Sequence, residues 1–308
     1  MLCLAALASA SEPLQTAFSY EPFNARVPVV REGSYVVNAK VRPLLLFWIG
    51  RDNVGEARLT WREDSGGRRT FEFLIGSDPA RAPRRINRWG FIVEELNDGN
   101  AEVLGVMKQS NEETLEEAEA QIARLDVVST FKAARTTITG SRAVSGVMTV
   151  HAPAHLTYRE IDELLALLPA EPPRVRTLEL PSGTQKGFLV AMDSLIGASV
   201  GPCRTTSGAG DVPTVPYLYN QTLYDLSLLS CDFEPELRTK TDTFADVVDG
   251  RFQIRNRTTK YETKFRVFYG TSGELRELPV RAVFRPRWWM EVELVLDRSA
   301  GGAADTEN

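Results

Sequence analysis

Histidine and cysteine are scarce in this 308-residue chain, with two and three copies. Long apolar runs and blocks of like charge are missing as well. Each shortage excludes something. The two histidines, His151 and His155, fall in "HAPAH" with Pro153 between them. An i,i+4 pair grips a metal when a helix stacks both rings on one face, and here the pair precedes a helical pattern instead of lying in one. Glu160 and Asp162 are the nearest oxygen donors. His151 and His155 are therefore weak metal candidates, and the alternative is two histidines on a turn or surface. Cys203 and Ser207 lie in "GPCRTTSGAGD" with no histidine nearby in sequence. There is no G-x-S-x-G elbow, no phosphate-loop spacing and no dinucleotide fingerprint. No catalytic residue can be assigned and no cofactor is expected. The longest apolar run, "LLLFWI" (44–49), falls far short of the roughly 20 residues of a membrane-spanning helix. With a net charge of −5 and no dominant basic stretch, a nucleic-acid partner is not expected.

What the chain does contain is ordinary for a folded protein: 43% hydrophobic and 25% charged residues. Arginine is much commoner than lysine and alanine is frequent, as in proteins from GC-rich bacterial genomes. The start, "MLCLAALASASEP", has an apolar stretch followed by Ala8-Ser9-Ala10, the small-x-small pattern of a secretory signal. It lacks a basic leader, and the alternative is simply an apolar terminus. With 1–10 removed, Cys203 and Cys231 remain as an even pair, which in an oxidising compartment implies a disulfide. Closing that loop is worth roughly 3–4 kcal/mol on a chain-entropy basis. Two unpaired buried thiols are the other possibility. The expected location is periplasmic or secreted.

Alternation of period two dominates. In "TKYETKFRVFY", Tyr261, Thr263, Phe265, Val267 and Tyr269 share one face, and Lys260, Glu262, Lys264 and Arg266 the other. Residues 250–297 read as an antiparallel meander with one polar face, with Pro279 marking an edge or a bulge. Tyr35, Val37, Ala39 and Val41 alternate likewise, as do Ala57, Leu59 and Trp61 ahead of a "SGG" turn at 65–67. "RWGFIVEEL" supplies another strand, and Glu94, Glu95, Glu291 and Glu293 read as solvated strand faces. Two helices are expected, at 110–125 and 157–168. Each opens with a capping box, Ser110 with Glu113 and Thr157 with Glu160. Residues 197–216 read as loop.

The expected fold is α+β, mostly antiparallel β as twisted or barrel-like sheets, with two short helices. The expected organisation is a signal at 1–10, an N-terminal β-rich portion with both helices at 11–168, a C-terminal antiparallel portion at 174–297 and a disordered tail at 298–308. "FEFLIGSD…INRWGFIVEE" echoes "FRVFYGTS…RPRWWMEVEL". Either the chain is duplicated or antiparallel strands simply look alike.

Arginine beside tryptophan is the best functional pattern. Arg81, Arg84, Arg85 and Arg88 precede Trp89, and Arg281, Arg285 and Arg287 precede Trp288 and Trp289. Guanidinium forks grip phosphate or carboxylate, and tryptophan covers a sugar or an acyl chain. Arg85, Arg88, Trp89, Arg285, Arg287 and Trp289 are thus the ligand-binding candidates, for a lipid, a glycan or an envelope protein. Trp288 belongs to the apolar face of its strand and Trp289 to the polar face. The alternative is that the arginines blunt strand edges.

"LYDLSLL", "TKFRVFYGTSGELRELPVRAVF" and "RPRWWMEVELVLD", across residues 215–297, resemble uncharacterised exported β-rich bacterial proteins of the domain-of-unknown-function type. The resemblance implies a twisted or barrel-like sheet in the cell envelope and assigns no catalytic residue. Taken together, these features point to a non-enzymatic envelope protein that binds a hydrophobic or amphiphilic ligand, or an envelope partner, on a curved sheet. A hydrolase using acids or a histidine-bound metal is the alternative, and a structural interaction domain is the third class.

Overall fold

The computed structural model describes residues 27–41, 49–108, 128–205, 214–287 and 290–299. The expected signal at 1–10, the helix at 110–125, Trp288, Trp289 and all but the first two residues of the 298–308 tail lie outside these.

Fourteen strands form one sheet: β1 (Val29–Val41), β2 (Ile49–Glu63), β3 (Arg69–Ser77), β4 (Trp89–Asn97), β5 (Asn100–Lys108), β6 (Val128–Thr139), β7 (Arg142–Pro153), β8 (Val175–Glu179), β9 (Val215–Tyr219), β10 (Thr222–Arg238), β11 (Thr243–Asn256), β12 (Glu262–Gly270), β13 (Pro279–Arg287) and β14 (Met290–Leu296). Their spatial order is β8-β7-β6-β5-β4-β3-β2-β1-β14-β13-β12-β11-β10-β9, and all neighbours are antiparallel. Two meanders, β1–β8 and β9–β14, are therefore joined in mid-sheet by the first strand and the last. Tyr35 stands opposite Leu296, and Val41 opposite Met290. The architecture is mostly antiparallel β with two short helices among the described residues: α1 (Ile161–Ala166) and α2 (Phe188–Thr205).

Local chemistry accounts for the turns. Asp64 Oδ1 accepts from the Gly66 and Arg68 amides to close the β2–β3 hairpin, and Asn256 does the same for Thr258 and Thr259 after β11. Pro279 opens β13 where the register with β12 slips, which is a bulge in an interior strand. Thr157 and Glu160 form the capping box, but it opens a 3₁₀ turn at Tyr158–Glu160, and only Ile161–Ala166 continues as α-helix.

The sheet curls until its two ends meet. Leu218 on β9 is buried with Ala101, Ile138 and Ala143 of β5, β6 and β7. Gln221 Nε2, in the β9–β10 turn, donates to the Ser145 carbonyl of β7 at 3.1 Å. Within the curl lies α2, packed against β10, β9, β3 and β11.

Three expectations require correction. Residues 197–216 do not begin as loop, because α2 runs through Thr205. The segment 250–297 does not keep one polar face throughout. Val267 and Tyr269 are buried on one side of β12, and Phe268 is buried with a different cluster on the other. Phe268 shares its core with Leu237 and Phe244 of the β10–β11 hairpin. Finally, the sequence echo does not repeat an arrangement. "FEFLIGS" and "RWGFIVEE" are neighbours β3 and β4, whereas "FRVFYG" is β12 and "MEVELVL" is β14, with β13 between.

Candidate functional site

The arginine–aromatic candidates occupy one end of the sheet but not one patch. Arg85 and Arg88 lie in the β3–β4 connection, Arg285 lies near the end of β13, and four strands separate β4 from β13. Arg85 is exposed at φ 52°. The backbone of Arg88 is tied down, its amide bonded to Ser77 Oγ at 2.8 Å. Trp89 is not a surface platform: it is 3% exposed, with its ring 5.4 Å from that of Phe131. Its place as first residue of β4, on the face covered by β6 and α1, explains the burial. The backbone of Arg287 pairs with Met290, while Trp289 lies outside the described residues.

The arginines of this end are held by acids. Arg81 bridges Asp78 and Glu56, and Arg159 reaches the same two carboxylates at 3.1 Å each. Burial alone would raise the Asp78 and Glu56 carboxyls, but bonds and charge from these arginines, with the Ala80 amide on Asp78, outweigh it and hold both low. On the other flank Glu291 accepts from Arg285 at 2.9 Å and from Lys40 at 3.3 Å. Burial again works upward on Glu291, and the two cations hold it below the usual carboxylate range. Lys40, Arg285 and Glu291, with Gly50, line a surface depression of about 430 Å³. Two cations against one carboxylate leave it net positive.

A second constellation was missed in the sequence: the seat of α2. The carboxylate of Glu94, on β4, accepts from the Leu189 and Val190 amides at 2.9 Å each, in the first turn of α2. It is 0% exposed, so the reading of Glu94 as a solvated acid is wrong. Glu95, Glu291 and Glu293 do lie on the outer face, each half-buried under a basic partner. One turn along α2, Asp193 Oδ1 accepts from Arg31 of β1 at 2.6 Å and from Trp61 Nε1 of β2 at 3.1 Å. Further on, Ser199 Oγ and the Tyr269 hydroxyl of β12 share a 2.6 Å hydrogen bond. Burial pushes the Tyr269 phenol up to about 12. Near its end, Cys203 is disulfide-bonded to Cys231 of β10, with Cα atoms 5.7 Å apart, within the usual span of such a bridge.

His151 sits on β7 opposite Thr130, and His155 in the turn that follows, both exposed. Neither joins a group of three metal-ligating side chains among the described residues. No helix among the described residues is long and apolar enough to cross a membrane.

No protein-family model matches the chain, and no curated protein does. Among solved structures, it is similar to a β-barrel-like protein of domain of unknown function DUF1849 from Brucella abortus, with 9% identity, a TM-score of 0.41, and coverage of 88% of this chain and 96% of that one. It is also similar to a candidate lipoprotein from Parabacteroides distasonis, with 9% identity, a TM-score of 0.25, and coverage of 86% and 94%. The Brucella protein is of the domain-of-unknown-function kind that residues 215–297 resemble.

Proposed function

We propose that this is an exported bacterial envelope protein, without catalytic activity, that binds an anionic amphiphile at the arginine-bearing end of its sheet. Export is supported by the Cys203–Cys231 pairing, since disulfides persist in oxidising compartments. Because α2 fills the curl, the ligand is assigned to the outer surface. The observation that carries the binding reading is the depression lined by Lys40, Gly50, Arg285 and Glu291. Its guanidinium and ammonium are oriented by one shared carboxylate, and the excess positive charge of the lining suits a phosphate or carboxylate headgroup.

Vesicle flotation tests this. The protein is expected to float with phosphatidylglycerol vesicles at low salt and not with phosphatidylcholine vesicles. Arg285→Glu is expected to weaken binding at least tenfold without lowering the melting temperature. Binding to an anionic glycan or an envelope protein, with no vesicle binding, would replace the amphiphile with that partner. Equal binding by the wild type and Arg285→Glu would remove the site.

A further inference from the structure

We propose that the seating of α2 is governed by the protonation of Glu94, so that α2 docks firmly in acid and loosens at its N-terminal end toward neutrality. Glu94 is fully buried and makes no ion pair among the described residues. Its neighbours are close: a Cβ added at Gly187 would stand 2.1 Å from the Glu94 carboxyl carbon. Only a residue without a side chain lets the start of α2 come down onto the acid.

Opposing effects act on the carboxyl. Burial without a counter-cation disfavours the charged form, whereas the Leu189 and Val190 amides and the positive end of the helix favour it. Burial wins, and the carboxyl is pushed up to about 7 from an ordinary 4.5.

The surrounding groups do not compete in this range. The titratable groups facing Glu94 from β9 are the phenols of Tyr217 and Tyr219. Burial raises both, Tyr219 to about 12, so they stay neutral. On β5, Val103 stands opposite Glu94, and the neighbouring Glu102 faces Glu95 and Arg135. On β3 its partner is Phe71. On α2, Asp193 is engaged by Arg31 and Trp61. Lys186, just ahead of α2, is disfavoured as an ammonium by partial burial and makes no ion pair with Glu94 among the described residues.

The direction follows from linkage. A carboxyl that titrates near 7 when α2 is docked and near 4.5 when it is released favours docking fully below about pH 4.5. That preference is lost as pH rises to about 7 and is flat above it, a change of roughly 300-fold. The far end of α2 is tied by the disulfide and the Ser199–Tyr269 bond. The loosening is thereby confined to the half that carries Leu189 and Val190, and it uncovers the apolar face formed by Tyr35, Val37 and Phe71.

Hydrogen exchange of the full chain tests this, with protection factors measured between pH 4.5 and 8.5. Protection at residues 188–192 is expected to fall about tenfold per pH unit up to about 7 and then level off, while residues 199–204 stay unchanged. Glu94→Gln is expected to flatten the profile at 188–192. A flat wild-type profile, or the same slope in the variant, would overturn the proposal. Should the variant not fold, the wild-type Glu94 carboxyl carbon can be titrated by NMR. A midpoint near 7 supports the mechanism, and one below 5 refutes it.

Discussion

The Arg31 guanidinium lies 3.8 Å from the centre of the Trp61 ring, and both side chains donate to the same oxygen of Asp193. A strand pair thus presents a stacked cation and an indole N–H to one carboxylate on a helix remote in sequence. The pieces are less than a third exposed, so the contact is stronger than a surface pair. In a double-mutant cycle with Arg31→Ala and Asp193→Ala, read by urea unfolding, the coupling should be about 1–2 kcal/mol. A coupling near zero would show that α2 is held without this contact.

Global stability should fall with rising pH on account of Glu94. Its folded-state value is raised, so the stabilisation is complete below about pH 4.5 and gone above about 7. Urea unfolding across this window should show a loss of about 3 kcal/mol attributable to this group. Glu94→Gln should remove that slope. Glu94→Ala should remove the slope as well and, at pH 4.5, should destabilise by about 2–3 kcal/mol or more, because it strands the buried Leu189 and Val190 amides.

Two glycines, Gly187 just ahead of α2 and Gly201 within it, should respond unequally. Gly187→Ala forces a methyl group into the Glu94 carboxyl and should cost at least 2 kcal/mol. Gly201→Ala adds a methyl group that meets nothing beyond its own helix and the following Pro202, and should cost less than Gly187→Ala. Thermal unfolding of both variants is sufficient, and equal effects would contradict the close approach at Gly187.

Reducing the Cys203–Cys231 bond, or replacing both with alanine, should cost roughly 3–4 kcal/mol for a loop of this sequence separation, 28 residues. The loss should appear first as exchange of the amides at the end of α2. A change below 1 kcal/mol would mean that the packing of α2 alone defines its end.

Trp89→Ala should destabilise by about 3–5 kcal/mol, as truncation of a large core side chain does, and should leave vesicle binding per folded molecule unchanged. A variant that keeps its stability and loses binding would return Trp89 to the surface role read from the sequence.

The strands were legible because each carries its own period: Tyr35 and Val37, or Ala57 and Trp61, point inward with polar neighbours between them. The α2 helix was not legible, for a physical reason. Its exposed stripe, Ser194, Gly197, Ala198 and Gly201, is built of small residues, so little polar contrast marks the apolar face. Its small residues, Gly197, Ser199 and Gly201, imitate a loop, although Ser199 is small because Tyr269 stands against it. Glu94 was unreadable for a related reason. Alternation places it beside Glu95 like any strand acid, and only the arrival of a helix end from about 95 residues away makes burying it tolerable. The arginines stand beside tryptophans in two stretches of the chain. Their separation into two flanks depended on strand order, and nothing in the pattern of a single strand encodes that order.

The seam between β1 and β14 has a consequence for how the molecule comes into being. Each hairpin within a meander closes over a short span, but Tyr35 must find Leu296. During synthesis, β1 waits with one edge open until the last strand emerges. The chain stays unfinished, and able to be threaded, for nearly its whole length, and locks only at the end.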